Sequence, residues 1–352
     1  MAHCAHRADS VLLNVVRGVD RRRCRRCLVV VGPPIGRGYN LYCSAVEAAV
    51  RRPYAYVRPE KSIEKKISFR KANCIFDAVV ANDHCRLSSF SEKSTIQLAI
   101  TDGMRRTLTE WMYEVCEEER CDVEVFPLSV QYLDRFLSLE PIRVDQLQAV
   151  GTVCMFLASK LVEAQPISAS QLVHYTDYSV TLADLLSWEL LVLNKLDWDT
   201  CHLTAHTFIQ HYLFRLRLPA NTERRLRPQL RLMVALAATE YRFAVLPQSM
   251  IAASCLCASY VNVYPQPGSA ESLALRLHQL TAIDSESILA NTRDMLAFIC
   301  ELRQQYLDAK SSPTLGAASS QGYLDQQRMA NRLAEYCRVV SERPPQSSYC
   351  AH

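Results

Sequence analysis

The chain is 352 residues long, 49% hydrophobic and 22% charged, with a formal net charge of +4 at pH 7. It is long enough to bury one or two sizeable cores, and so slight a positive balance carries no whole-chain signature of nucleic-acid binding. No apolar run reaches the roughly 18 to 20 residues that a bilayer span needs, and the scarcity of glycine favours helices over many turn-linked strands.

Residues 1–60 read as a poorly ordered extension, rich in arginine, poor in acids and broken by Gly32, Pro33, Pro34, Gly36, Gly38 and Pro53. Its apolar runs, Val11–Val16 and Leu28–Val31, are too short for a signal-peptide core, so an intracellular protein is expected. Cys24 and Cys27 with His3, Cys4 and His6 invite a zinc reading, but no second ligand pair completes the set and arginines crowd it. No metal is expected there. The glycines lack the following Lys-Ser/Thr of a phosphate-binding loop. The run Arg21–Arg26 reads equally as a nuclear-import signal or a solvated basic loop, and the acid-poor start has a transit-peptide flavour but little serine. The fifteen cysteines are odd in number and fall in apparent core segments (Cys154, Cys255, Cys257, Cys300), where they behave as small buried hydrophobes.

Residues 61–100 read as a helical lead-in, and from about 101 to 306 helix follows helix. Met104, Leu108, Trp111 and Val115 form one stripe at helical spacing. Pro127 sits in the first turn of the next helix, which runs through Ser138 before Pro141. Residues 143–163 are apolar almost all round, as a helix enclosed by others must be, and Pro166 follows. Shorter helices are expected over 168–175 and 181–196. A second set is expected over 204–216, 222–240, 248–262, 273–280 and 284–306. Phe156-Leu157-Ala158-Ser159-Lys160 and Leu256-Cys257-Ala258-Ser259-Tyr260 occupy equivalent places in the two sets, which predicts two stacked five-helix units. From Ser311 to Gly322 the composition is that of a linker, and residues 324–340 have the spacing of a short amphipathic helix.

Specific motifs sit on this frame. They are Met104-Arg105-Arg106-Thr107-Leu108-Thr109-Glu110-Trp111-Met112, Glu114–Glu118, Val125–Leu128 and Tyr132-Leu133-Asp134-Arg135-Phe136-Leu137-Ser138-Leu139-Glu140-Pro141. Cys154–Lys160, Tyr175-Thr176-Asp177 and Trp188–Trp198 follow, with Phe243–Ala252 in the second set. Over about 200 residues this order resembles the cyclins, and most closely the D-type cyclins. The resemblance implies an all-α fold of two tandem five-helix cyclin boxes, 101–200 and 201–307, with disordered N- and C-terminal extensions and a regulatory tail over 308–352.

It also implies a non-catalytic regulatory subunit that activates a cyclin-dependent kinase of the four/six class at the G1/S transition. The implied substrate is a retinoblastoma-family protein, with kinase-inhibitor proteins as further partners, and a location in nucleus and cytoplasm. No cofactor, metal, membrane or nucleic acid is expected. Two other functions are weighed: a kinase-independent cyclin-fold scaffold, for which the divergent N-terminus speaks, and a transcriptional cyclin, against which the acidic run Glu117-Glu118-Glu119 speaks.

Residue roles follow from the resemblance. Lys160 and Glu189 match the pair that grips the kinase's activating helix: three donors and a carboxylate that can pair and hold a partner's backbone. Leu161, Leu193 and Trp198 supply neighbouring apolar contact. Met104, Leu108 and Trp111, with Glu114 and Gln148 at the polar positions, match a patch that docks Arg-x-Leu segments, although Thr107 stands where an aliphatic residue is usual. Arg105 and Asp134 match an ion pair tying the first helix to the second. Leu41, Cys43 and Glu47 echo a Leu-x-Cys-x-Glu retinoblastoma-binding segment, but the glutamate comes two residues late, some ~6–7 Å along an extended chain. Ser312 and Thr314 flank Pro313 in the region where D-type cyclins carry a phosphorylated turnover signal. The family pattern is Thr-Pro and this is Ser-Pro-Thr, so a turnover signal is weighed against an ordinary linker.

Overall fold

The computed structural model describes residues 99–311, with side chains as far as Gln304. Among the described residues there is no β-strand, and no helix is long and apolar enough to cross a membrane. The N-terminal extension and Leu41, Cys43 and Glu47, like Ser312, Thr314 and the tail, lie outside the described residues.

The first bundle comprises α1 (Asp102–Glu118), α2 (Val125–Leu137), α3 (Leu147–Val162), α4 (Ala169–Tyr175) and α5 (Leu182–Lys195). Local chemistry sets the helix starts. The Thr101 hydroxyl accepts the Met104 N–H at 3.3 Å, and Asp102 adds negative charge to the first turn of α1. Ser168 with Gln171, and Thr181 with Asp184, form reciprocal capping boxes at α4 and α5. α3 is the central rod, buried from Leu147 through Ser159 with only Gln148 partly open. Gly151 lets α1 come close: a Cβ there would stand 2.9 Å from a Leu108 methyl, nearer than packed carbons tolerate.

The second bundle repeats the plan with α6 (Ala205–Leu216), α7 (Ala220–Thr239), α9 (Gln248–Val263), α10 (Ser269–Thr281) and α11 (Ser285–Ser311). α9 is its rod, with Ala252, Ala253, Cys255, Cys257 and Ala258 wholly buried, so α6, α7, α10 and α11 can all lie against it. The tandem five-helix expectation is met, with one addition, the four-residue helix α8 (Tyr241–Ala244). It exists because Arg105 captures the last carbonyls of α7: Nη2 donates to Ala238 and Nη1 to Thr239, each at 3.0 Å. The chain then turns extended at Glu240 and re-enters a single helical turn that buries Phe243 edge-on against Phe298 at 5.9 Å. α11 also continues to Ser311, beyond the expected end at 306, and Cys300 on it is exposed rather than in the core as expected.

Arg105 therefore does more than join α1 to α2. Its fork is bidentate to Asp134 (2.6 and 2.8 Å) and at the same time closes the C-terminus of α7, so one buried guanidinium holds three helices of two bundles. Burial works against that charge, but the Asp134 carboxylate outweighs it and the Arg105 pKa is raised. Glu124 adds a second tie, accepting from the hydroxyls of Thr204 (3.1 Å) and Thr207 (3.0 Å), and Arg231 bridges to Glu117 at 2.6 Å.

Candidate functional site

The last turn of α3 emerges from the core beside α5, and polar groups and exposed apolar ones meet at that rim. Lys160 closes an ion pair with Glu189 across the gap between the two helices. The ammonium also lies 3.8 Å from the centroid of the Phe156 ring, one turn back on α3, so it is held by a carboxylate and a π face together. Both side chains stay partly open to solvent, at 24% and 16%. Lys160 keeps donors and Glu189 keeps lone pairs that an approaching backbone can use.

The surroundings of the pair are apolar. Leu185, Val192 and Leu196 turn α5 toward the core and are buried. Leu182, Leu186, Leu190 and Leu193 form an adjacent stripe at i, i+4, i+8 and i+11, with Glu189 on its core-side border. Leu182, Leu186 and Leu190 are about half exposed (49%, 49% and 54%), as is Leu161 across the groove (44%). Solvent-facing leucines clustered around a fixed ion pair make this rim a candidate interaction surface. Sequence reasoning does not single out Leu182, Leu186 and Leu190. The signal for them is their register: α5 carries more leucines than one core-facing stripe can bury.

Trp198 borders the same end of α5. Asp197 and Trp198 both adopt the left-handed conformation (φ 53° and 57°), unfavourable for non-glycine residues. The Trp198 N–H returns to the Leu193 carbonyl at 2.9 Å and its indole N–H to Asn194 Oδ1 at 3.1 Å, which holds the turn and leaves the ring half-buried.

The second expected set lies along α1 and the start of α3. Met104 is exposed, Trp111 and Glu114 are half-buried, and the Gln148 side-chain carbonyl accepts from the Ser179 hydroxyl at 3.1 Å. Leu108 differs from its neighbours. It is buried, pressed on the Gly151 backbone at the crossing of α1 and α3, so the outer surface here consists of Met104, Thr107 and the rim of Trp111. Thr107 is exposed, and its hydroxyl donates back to the Gly103 carbonyl at 3.0 Å.

The comparisons with known proteins agree with this architecture. The family model for the N-terminal domain of cyclins matches residues 76–201, and that for the C-terminal domain matches residues 203–337. The chain is 40% identical over 228 residues to the G1/S-specific cyclin-D2 of Xenopus laevis, covering 62% of this chain and 78% of that protein. It is 40% identical over 230 residues to the human G1/S-specific cyclin-D3, covering 64% and 79%. Among solved structures, a viral cyclin from herpesvirus saimiri superposes with a TM-score of 0.54 at 25% identity, covering 62% of this chain and 96% of that one.

Proposed function

Since the chain belongs to the cyclin family, in its D-type branch, we propose that it is the regulatory subunit of a cyclin-dependent kinase of the four/six class, acting at the G1/S transition. The observation that carries this reading is the Lys160–Glu189 pair set among exposed leucines on the α3–α5 rim. Such a surface suits an amphipathic helix: the leucines cover its apolar face while the ion pair takes its polar backbone ends. The mechanism is a population shift. The rim binds the kinase's activating helix in its active placement more tightly than in any other, and the difference in affinity is what activates. ATP, magnesium and the phosphotransfer residues belong to the kinase. This chain supplies the rim and, through Met104, Thr107, Trp111, Glu114 and Gln148, a foothold for substrates or inhibitors with Arg-x-Leu segments. A retinoblastoma-family protein is the proposed substrate.

Reconstitution tests the proposal. The purified chain is combined with each member of a panel of cyclin-dependent kinases, and phosphorylation of a retinoblastoma fragment is measured. Activation of the four/six class above the others is the expected result. Failure to bind or activate any kinase of the panel would refute the proposal.

A further inference from the structure

Two thiols meet where α1 ends. The helix closes in a Schellman turn: Arg120 takes the left-handed conformation (φ 54°), its N–H bonds the Glu117 carbonyl at 3.2 Å, and the Cys121 N–H returns to the Cys116 carbonyl at 2.9 Å. That backbone bond sets the two cysteines side by side, at the two positions of the motif whose side chains face each other. A hydrophobic contact usually occupies these two positions of the motif. Here both members can be oxidised.

Their surroundings differ from those of the other buried cysteines. Cys154, Cys255 and Cys257 lie inside the central rods, where burial pushes their thiols up and keeps them inert. Cys116 and Cys121 instead line the cleft between the bundles, together with Tyr113, Phe126, His206 and Arg231. The pair is also asymmetric. The Cys116 thiol is raised chiefly by the Cys121 thiol beside it and then by burial. Cys121 is lowered by its pairing with Cys116, against the opposing effects of burial, Glu163 and Glu119.

We propose that Cys116 and Cys121 form a peroxide-oxidised dithiol that closes to a disulfide, a modification site on the wall of the inter-bundle cleft. The Cys121 thiolate attacks one oxygen of hydrogen peroxide, the O–O bond breaks, and the departing hydroxide leaves as water once protonated. The resulting sulfenic acid is then attacked by the Cys116 sulfur: the S–S bond forms, the S–O bond breaks, and the second hydroxide takes the Cys116 proton as a second water. Two thiols lose two electrons and one peroxide gains them, so nothing else is consumed. The bond joins two residues that the turn has already brought together, and adds a covalent link to a turn that the backbone has closed.

The sequence supplies its own assay, because Arg120 stands between the two cysteines. The folded full-length chain is treated with hydrogen peroxide, remaining thiols are alkylated, and the product is digested with trypsin. The disulfide is expected as a linked pair of peptides, residues 107–120 with 121–135, that dithiothreitol separates. Cys116→Ser should leave Cys121 at the sulfenic acid, trapped by dimedone, and Cys121→Ser should leave Cys116 unoxidised. Three outcomes would overturn the proposal: both thiols still alkylated after peroxide, Cys121 oxidised in the native chain without the link, or a link that forms only in urea.

Discussion

Reversing the charge at Lys160 separates a role in partner binding from a role in folding. In Lys160→Glu, a carboxylate replaces the ammonium that Glu189 and the Phe156 ring hold, so two acids face each other on the rim. Because both positions are partly open to water, the isolated chain should lose about 1 kcal/mol at most, which for a folded region of this size is a fall in Tm of roughly 2–4 °C. Binding should suffer far more. A docked helix excludes water from the pair, and truncating one partner of a desolvated interfacial charge pair costs about 2–5 kcal/mol, with reversal costing at least that. The expected weakening is therefore roughly 30-fold to several thousand-fold. Titration calorimetry against a cyclin-dependent kinase of the four/six class, with thermal melts of both forms of the chain, reads the two quantities separately. A folded Lys160→Glu chain with unchanged affinity would refute the assignment of the rim and favour a kinase-independent scaffold.

Four further outcomes are expected. Leu186→Ser with Leu190→Ser should weaken kinase binding at least tenfold while leaving Tm within a few degrees, because both leucines are about half exposed in the isolated chain; unfolding would show that they are core. Arg105→Ala should destabilise the chain by about 3–5 kcal/mol, since it strands the buried Asp134 carboxylate and frees two helix-end carbonyls, and denaturant melts measure it. Gly151→Ala should cost about 1–3 kcal/mol by forcing Leu108 aside, and Gly151→Ala with Leu108→Ala should cost less than the sum of the two single losses in the same melts. His206 supplies a pH dependence: burial first, then the Arg231 guanidinium, hold its pKa down at about 4 against 6.5 unfolded, with Asp122 opposing. The unfolded chain thus binds the extra proton between those values, so stability is whole above pH 6.5 and falls by roughly 3 kcal/mol as pH drops to 4. His206→Gln should flatten that part of the stability curve.

Much of this architecture is legible in the sequence because the two central helices are enclosed on every side, and a helix apolar all round with small residues at its crossings has few other places to go. Ala252, Ala253 and Ala258 in α9, and Gly151 and Ala158 in α3, announce close neighbours by their size alone. The four-residue helix at Tyr241–Ala244 is not legible, for a physical reason: the sequence places a helix end near 240, but nothing local holds the last carbonyls of α7. A side chain 134 residues earlier does so, and no window along the chain contains both. Leu108 is the opposite case. Its spacing with Met104 and Trp111 fits a surface stripe and a core stripe equally well, and only the missing Cβ of Gly151 on another helix decides that it is buried. The exposed leucines of α5 become legible on asking how many the core side of one helix can take.

The proposed footholds share one rigid support. α3 presses on Leu108 at Gly151, beneath the Met104–Trp111 surface, and carries Lys160 in its last turn. Lys160 lies nine residues on from Gly151, about 14 Å along a rod that is buried for nearly its whole length. Neither end can move far without disturbing the densest part of the first bundle. The opposite end of the assembly is fixed by Arg105, which sits between Met104 and Trp111 on α1 and grips α2 and α7 from beneath the same surface. A kinase held at the rim and a substrate segment held on α1 would therefore keep a constant separation. On the proposed reading, discrimination among substrates would fall on the length of chain between their docking segment and their phosphorylated residue, and the subunit would act by fixing a distance as well as by shifting the kinase's equilibrium.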